Sequence, residues 1–374
     1  MKILICGGGT GGHINPALAV AGFIRKRQPE AVIVFAGASR GMEEKLVPAA
    51  GYRLRTVDIS GFKRSFAPSA VLFNVGAAWR MLKTRREAFA IVREEAPDLV
   101  FGTGGYACYP YVRAAAKLGI PSVLHESNAL PGKAVVAAGK YAEKILLGFP
   151  EAVEKLPERL RPKAIVTGNP IREGMVTRDK SEAKKALGYG EKLLLSFWGS
   201  LGAREMNKKI ADFIVLESRE ETGFDHVHAT GSYGWRWMPD LVREKGVDLA
   251  SQKHIDMREY IHNMPELLAA ADLVICRAGA MTTIELSATG TPAIMVPSPN
   301  VAENHQESNA RALESRGAAV MIREKDTTGE ILYQKAKELL SDEEKLRAMS
   351  RAALQGAILD ADERIYAELA PYWK

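Results

Sequence analysis

The chain has 374 residues, of which 47% are hydrophobic and 26% charged, with three widely separated cysteines and a formal net charge of +6. This length favours two domains, and the composition excludes a disordered, collagen-like or disulfide-stapled protein and argues against a structural zinc site. Because no apolar run approaches the roughly eighteen residues of a spanning helix and no signal-peptide pattern is present, we expect neither a membrane span nor export from a reducing cytoplasm.

In the first half of the chain, short apolar runs alternate with longer helical patterns. The runs predict buried strands at 3–6, 31–36, 99–101, 122–125 and 144–147, and helices are predicted at 16–27 and 112–118. Such alternation predicts βαβ units and a parallel, doubly wound sheet, in which ligands bind beyond the carboxyl ends of the strands.

A second series of this kind follows the proline-punctuated stretch 156–163, which is typical of an interdomain linker. Its strands are predicted at 193–197, 226–230, 272–276 and 293–296, and residues 328–374 are mostly helical, with a tail that could pack back onto the first domain. We therefore expect an α/β protein of two doubly wound, Rossmann-like domains with a cleft between them. The expected domains are residues 1–163 together with the C-terminal helix from about residue 352 to 374, and residues 164–351.

The first predicted strand runs into a glycine-rich loop, Gly7-Gly-Gly-Thr-Gly-Gly12, which is followed by His13. Glycine lets backbone N–H groups approach a ligand closely, and the next helix directs its positive end toward an anion, so we expect a phosphate or a developing oxyanion there. At this position the imidazole of His13 is a candidate general base. A helix-capping or structural histidine is the alternative.

The glycines at 7, 9 and 12 also satisfy the GxGxxG pattern of dinucleotide-binding folds. Residues 31–40 provide no acidic residue for the ribose of NAD, but Ser39 and Arg40 could hold a 2′-phosphate. An NADP-dependent oxidoreductase is therefore an alternative at this point.

Further polar residues follow other predicted strands of the first half, in Gly102–Tyr106 and in His125–Asn128. Buried polar groups are costly unless they are satisfied, so we expect either a polar ligand or a mutual hydrogen-bond network at these loops.

In the second half, residues 197–203 form another glycine loop between a strand and a helix, and two such anion sites suit a diphosphate. Glu285 lies eight residues after Arg277, where its carboxylate could accept two ribose hydroxyls or cap the helix. The polar stretch 297–306 with Asn309 suits the hydroxyls of a sugar, or is a plain surface loop.

We expect no metal, because the only Asp-x-Asp, at 360–362, favours a solvated helix face.

The basic residues are concentrated in the first part of the chain, where residues 1–168 hold 24 Lys and Arg against 13 Asp and Glu, whereas the remainder holds 27 against 32. From Phe62 to Arg86, an apolar stripe is bordered by cations. The stripe consists of Leu72, Val75, Trp79 and Leu82. This pattern is typical of a helix that lies on an anionic membrane surface. A buried core helix and a solvated basic face are the alternatives.

Taken together, these motifs resemble the MurG family of peptidoglycan glycosyltransferases over nearly the whole chain. The resemblance is carried by Gly8-Gly-Thr-Gly-Gly-His-Ile-Asn-Pro16, His125-Glu-Ser-Asn-Ala129, Thr167-Gly-Asn-Pro-Ile-Arg172, Arg277-Ala-Gly-Ala280, and Gln306 with Asn309-Ala310. It implies a GT-B fold and an inverting transfer of N-acetylglucosamine from UDP-N-acetylglucosamine to the C4 hydroxyl of lipid I, which gives lipid II without a cofactor. It also implies a peripheral protein on the cytoplasmic face of a bacterial membrane, with no nucleic-acid partner.

The resemblance further implies roles for individual residues. His13 matches the catalytic base, Thr10 and Tyr106 face the acceptor, and Asn128 lies near the reacting sugar. The backbone of Ile261 pairs with uracil, Glu285 holds the ribose, and Ser200 and Arg277 lie beside the diphosphate. The sugar would be bound by His305, Gln306 and Asn309. The other expected substrate-binding residues are Gly11, Gly12, His125, Glu126, Arg172 and Ala280.

Three residues depart from the family pattern. Trp198 and Leu201 stand where the family commonly has glycine and a polar residue, and Ser127 replaces a frequent glutamine. The first pair leaves the shape of the phosphate loop open. A related GT-B enzyme that glycosylates a diacylglycerol and a non-catalytic scaffold of wall synthesis stay alternatives.

Overall fold

The chain divides into two compact units in a computed structural model that describes residues 1–59, 83–171, 175 and 179–373. Unit 1 comprises Met1–Ile171 with Asp360–Lys374, and unit 2 comprises Arg172–Leu359. The amphipathic segment predicted from Phe62 to Arg86 lies outside the described residues, except for its last part from Lys83. Within the described residues, no helix combines the length and apolar character needed to cross a bilayer.

Unit 1 is built on a seven-stranded parallel sheet with the strand order β3-β2-β1-β4-β5-β6-β7. Its strands are β1 (Lys2–Cys6), β2 (Val32–Ala38), β3 (Arg53–Val57), β4 (Leu99–Gly102), β5 (Ser122–Glu126), β6 (Lys144–Leu147) and β7 (Ala164–Val166). Its helices are α1 (Gly11–Arg27), α2 (Glu43–Ala49), α3 (83–95), α4 (Cys108–Lys117), α5 (Lys133–Ala138), α6 (Ala152–Lys155) and the C-terminal α15 (Ala361–Leu369). Short 3-10 helices lie at Glu158–Lys163 and Ala370–Tyr372.

Helices cover both faces of this sheet, as its apolar strands require. Successive side chains of a strand point to opposite faces. On β1, Ile3 and Ile5 pack in one cluster with α1 and α15, and Leu4 and Cys6 pack in another with α3 and α4. The C-terminal helix α15 packs on unit 1, with Ile365 and Leu369 buried in its core.

Unit 2 repeats the architecture with a six-stranded parallel sheet of order β10-β9-β8-β11-β12-β13. Its strands are β8 (Leu193–Phe197), β9 (Asp225–Ala229), β10 (Ile255–Arg258), β11 (Leu273–Cys276), β12 (Ala293–Met295) and β13 (Ala319–Met321). Its helices are α7 (Lys180–Leu187), α8 (Arg204–Glu217), α9 (Met238–Glu244), α10 (Met264–Ala270), α11 (Ala280–Thr289), α12 (His305–Ser315), α13 (Gly329–Ser341) and α14 (Glu343–Gln355), with 3-10 turns at Ala302–Asn304 and Glu324–Asp326.

The division between the units differs from the predicted boundaries at 163/164 and 351/352. Residues 164–166 form β7, which pairs with β6 and so completes the sheet of unit 1. At the other end, α14 continues to Gln355, with Met349 and Ala353 buried, and Arg316 of unit 2 donates to the carbonyl of Gly356. The proline-rich stretch predicted as a linker is the 3-10 helix before β7.

Because all strands within each sheet are parallel, their carboxyl ends meet at one edge. In unit 1 this edge carries the loops after β1, β4 and β5, and β4 pairs with both of the other two strands. In unit 2 it carries the loops after β8, β11 and β12, which are also neighbouring strands. These are the loops in which the sequence places the candidate site residues.

Candidate active site

His13 lies in the first turn of α1, directly after the glycine loop. Its Nδ1 lies 3.1 Å from the carbonyl oxygen of Thr103, and the hydroxyl of Thr103 donates to the carbonyl of His13 at 2.8 Å. Because a carbonyl can only accept, Nδ1 carries the proton and Nε2 is the acceptor nitrogen. Burial lowers the pKa of His13, while the Thr103 carbonyl and the charge of Glu43 act in the opposite direction. The imidazole is therefore neutral at pH 7, as a general base must be.

Two glycines after β4 allow the chain to approach this histidine closely. Gly104 and Gly105 adopt φ angles of +90° and +73°, and a Cβ on Gly105 would overlap the carbonyl of Gly8. The ring of Tyr106 packs over Gly9, and burial raises the pKa of its phenol. Thr10 precedes the first residue of α1, and Gly11 and Gly12 form its first turn. The structure thus brings the predicted acceptor-side residues around His13 together.

Glu43 is a buried residue of this site that sequence reasoning missed. Its carboxylate accepts the N–H of Gly9 at 3.0 Å and the N–H of Ala38 at 2.8 Å. Glu43 lies five residues beyond Ala38, the last residue of β2, at the start of α2, where no local pattern marks it as part of the site. The Gly9 amide thus binds a carboxylate of the protein itself, and a phosphate or oxyanion at the other amides of the loop stays a prediction.

The loop after β5 is held by its own side chains. His125 is fully buried, its Nε2 lies 3.2 Å from the carbonyl of Gly168, and burial lowers its pKa to about 4. The Glu126 carboxylate accepts the backbone N–H and the amide of Asn128 at 2.9 and 3.0 Å, and the N–H of Gly132 at 2.8 Å. His125 and Glu126 are buried, whereas Asn128 is partly exposed. Substrate contact by these residues stays a prediction, and the structure gives His125 and Glu126 internal partners.

In unit 2, the loop between β8 and α8 keeps the backbone of an anion-binding loop despite the departures from the family pattern. Gly199 and Gly202 have φ angles of +88° and +78°, and Ser200 and Leu201 are exposed. Trp198 is buried in the core, and its ring lies 5.7 Å from the guanidinium of Arg277. The tryptophan therefore forms the floor of the loop rather than blocking its exposed side.

Arg277 follows β11 and is held by groups from two other segments. It donates to the carbonyl of Val296 at 3.0 Å and pairs with Glu324 at 2.6 Å. Ala280 begins α11, and Glu285 is buried further along this helix. Burial raises the pKa of the Cys276 thiol, and the charge of Glu285 raises it further. Arg277 and Ala280 follow the carboxyl end of β11. Ile261 is buried in the segment after β10.

The predicted sugar-binding residues lie at the start of α12 and tie that helix to neighbouring loops. The side-chain oxygen of Gln306 accepts the N–H of Ser298 at 2.9 Å, and the amide of Asn309 donates to the carbonyl of Ala278 at 3.0 Å. The ring Nδ1 of His305 lies 2.7 Å from the carbonyl of Ala302. Arg172 lies outside the described residues. Within the described part of the chain, no group of three or more His, Cys, Asp or Glu side chains is arranged to hold a metal ion.

Comparison with known proteins identifies the family. Residues 3–147 match the glycosyltransferase family 28 N-terminal domain, and residues 193–365 match the glycosyltransferase family 28 C-terminal domain. A UDP-N-acetylglucosamine--N-acetylmuramyl-(pentapeptide) pyrophosphoryl-undecaprenol N-acetylglucosamine transferase of Acetivibrio thermocellus is 40% identical over 98% of this chain and 96% of that protein. The chain belongs to the MurG family of glycosyltransferase family 28.

Two further similarities extend over the whole chain. A transferase of the same name, numbered 1, from Bacillus cereus is 40% identical over 98% of both proteins. The crystal structure of Acinetobacter baumannii MurG superposes with a TM-score of 0.77 at 26% identity, over 99% of both chains. The fold is therefore GT-B, with two Rossmann-like domains, and the chain is a glycosyltransferase. The oxidoreductase and scaffold alternatives have no support in these comparisons.

Proposed function

We propose that this chain transfers N-acetylglucosamine from UDP-N-acetylglucosamine to the C4 hydroxyl of the muramoyl-pentapeptide of lipid I, which gives lipid II for peptidoglycan synthesis. Support comes from relatives of that name that align with nearly the whole chain. The mechanism rests on one observation in unit 1, the contact of Nδ1 of His13 with the carbonyl of Thr103, which favours one tautomer of the ring. The Thr103 carbonyl holds the Nδ1 proton, so Nε2 has its lone pair available for a substrate proton.

On the acceptor side, Nε2 of His13 takes the proton of the C4 hydroxyl as that oxygen attacks the anomeric carbon. The new C–O bond forms on the face opposite the UDP oxygen, whose bond to the same carbon breaks, so the configuration inverts. General-base assistance of this kind contributes about 10²–10⁴ in rate. Because burial lowers the pKa of His13, the base stays unprotonated somewhat below pH 6.5.

On the donor side, the residues of unit 2 would bind UDP and stabilise the charge that it gains. The loop that carries Ser200 presents backbone amides before the N-terminus of α8, and Arg277 adds a cation whose orientation is set by Val296 and Glu324. The buried carboxylate of Glu285 would accept ribose hydroxyls, and the backbone of Ile261 would pair with uracil. Ala280, His305, Gln306 and Asn309 complete the proposed donor set.

An anionic membrane surface is the proposed partner of the basic side of unit 1, at the cytoplasmic face of the cell membrane. The described end of the amphipathic segment supports this proposal. Here α3 and α4 border a cavity of about 470 Å³, which is lined by Arg85, Arg86, Phe89, Pro110, Arg113, Ala114 and Lys117. The described lining residues combine four cations with apolar groups and include no carboxylate, which suits lipid headgroups.

The test of this function is UDP release from UDP-N-acetylglucosamine in the presence of a soluble lipid I analogue, with and without a chelator. We expect release that depends on the analogue, that persists with the chelator, and that yields a disaccharide product. A diacylglycerol serves as the comparison acceptor. Transfer to the diacylglycerol but not to the lipid I analogue would contradict the proposal and favour the related lipid glycosyltransferase.

A further inference from the structure

The carboxylate of Glu43 lies beneath the glycine loop of unit 1 and connects two chain segments. Glu43 is 1% exposed, although it belongs to a short surface helix. One of its oxygens accepts the N–H of Gly9, in the loop after β1, and the other accepts the N–H of Ala38, at the end of β2. A carboxylate with two backbone donors fixes both segments relative to α2.

Three glycines provide the space that this side chain occupies. A Cβ at Gly8 or Gly41 would overlap the carboxylate of Glu43, and one at Gly37 would lie 2.8 Å from its Cγ. Gly8 lies in the loop after β1, Gly37 in β2 and Gly41 in the loop after β2. Each of these three segments therefore has a glycine where it contacts the Glu43 side chain. Part of the glycine-rich pattern thus accommodates an internal carboxylate rather than a substrate phosphate.

The same carboxylate supplies negative charge to His13. Burial lowers the pKa of His13, and the charge of Glu43 raises it, together with the Thr103 carbonyl. Among the residues that the structure describes, the titratable groups that face this loop from other elements are Glu43 on α2 and Tyr106 after β4. Burial and the charge of Glu43 both raise the pKa of the Tyr106 phenol, so it is uncharged at neutral pH. Glu43 is therefore the anionic group that favours a proton on His13.

We infer that Glu43 is a positioning residue for the transfer reaction, which holds the loop that leads to His13 and places a fixed negative charge beside the base. This inference rests on the proposed function. It assigns Glu43 no contact with substrate, because both carboxylate oxygens bind backbone amides. Its effect reaches the reaction through the position and the basicity of His13.

The test compares Glu43→Gln with Glu44→Gln, which removes the same charge from the exposed neighbouring residue of α2. Gly9 and Ala38 donate to different oxygens of Glu43, and glutamine replaces one of these oxygens by an NH2 donor, so one of the two N–H groups loses its acceptor. We expect kcat of Glu43→Gln to fall about 10- to 100-fold, as for a displaced base.

The KM of Glu43→Gln for UDP-N-acetylglucosamine should change little, because the donor residues belong to unit 2. The acidic limb of the kcat profile should move to lower pH, since the His13 base loses a favourable charge. Glu44→Gln should match the unchanged protein.

A second variant separates position from charge. Glu43→Asp keeps the charge on a shorter side chain, so we expect a reduced kcat with the acidic limb close to that of the unchanged protein. If Glu43→Gln does not fold, Glu43→Asp decides the matter, and a kcat equal to that of the unchanged protein would overturn the inference. For a folded Glu43→Gln, an unchanged kcat and acidic limb, or effects equal to those of Glu44→Gln, would also overturn it.

A measurement independent of turnover distinguishes failure of this inference from failure of the proposed function. The imidazole of His13 can be titrated by NMR, with its signal assigned by its loss in His13→Gln. The inference expects a lower midpoint in Glu43→Gln than in the unchanged protein or in Glu44→Gln, and an equal midpoint contradicts it. Absence of UDP release by the unchanged protein would instead remove the proposed function and leave this titration informative.

Discussion

Ser196→Ala is expected to lower the stability of unit 2 strongly, because the hydroxyl of Ser196 joins two buried histidines in a hydrogen-bond network. The hydroxyl of Ser196 lies 2.7 Å from Nε2 of His226 and 2.6 Å from Nδ1 of His228, and Nδ1 of His226 lies 2.8 Å from the carboxylate of Glu217. All four residues are fully buried. In the order in which the Glu217 carboxylate accepts from His226, Ser196 donates to Nε2 of His226 and accepts from Nδ1 of His228. Burial and the neighbouring His226 hold the pKa of His228 well below its usual value.

The magnitude follows from the partners that the substitution leaves behind. Alanine cannot accept from Nδ1 of His228 or donate to Nε2 of His226, so two buried polar atoms lose their partners. Each such loss costs about 1–3 kcal/mol, so we expect a loss of about 3 kcal/mol in the free energy of unfolding of unit 2. For a domain of this size, that corresponds to a fall in melting temperature of roughly 6–12 °C.

The matched control is Ser287→Ala, a buried serine of the same unit whose hydroxyl only donates to the carbonyl of Thr283 within α11. Because the two units can unfold separately, thermal unfolding should be followed by hydrogen exchange of peptides from β8 and β9. Ser287→Ala should cost less than about 1 kcal/mol, since no ring nitrogen loses its partner and alanine favours a helix. Equal melting temperatures for the two variants would refute the reasoning.

Two further predictions concern substrate and membrane contacts. Glu285→Ala should mainly raise the KM for UDP-N-acetylglucosamine, by about tenfold or more, because a buried charged acceptor for ribose hydroxyls is lost; an unchanged KM in steady-state assays would contradict the ribose assignment. Binding to anionic liposomes should weaken with added salt and with Trp79→Ser, but not with Trp235→Ser, an exposed tryptophan of unit 2. Sedimentation with vesicles measures this, and salt-insensitive or absent binding would count against a membrane surface.

The sequence predicted the interior strands of both sheets and missed the edge strands. The nine predicted strands correspond to β1, β2, β4, β5 and β6 of unit 1 and to β8, β9, β11 and β12 of unit 2. These strands are covered on both faces, so most of them are mainly apolar, as in Leu193–Phe197 and Leu273–Cys276. The four missed strands, β3, β7, β10 and β13, are the edges of the sheets. They are shorter or half-exposed, as in Arg53–Val57, so their residues lack the apolar run that sequence reasoning detects.

The candidate site was predictable where a loop directly follows a strand, and not where a side chain reaches across the fold. His13, Tyr106 and Asn128 follow neighbouring interior strands, so their shared location followed from the topology. Thr103 contacts His13, and Glu43 contacts the Gly9 amide of the preceding loop, and no local pattern encodes these long-range contacts. The domain boundary was misplaced for the same reason, because β7 is recognisable only by its pairing with β6.

The most direct test of the account is the turnover of His13→Ala with UDP-N-acetylglucosamine and a lipid I analogue, together with the affinity of the variant for the nucleotide sugar. If Nε2 of His13 accepts the proton of the acceptor hydroxyl, turnover should fall at least about a hundredfold while the donor affinity changes little. Near-normal turnover of a folded His13→Ala protein would contradict the assignment of the base.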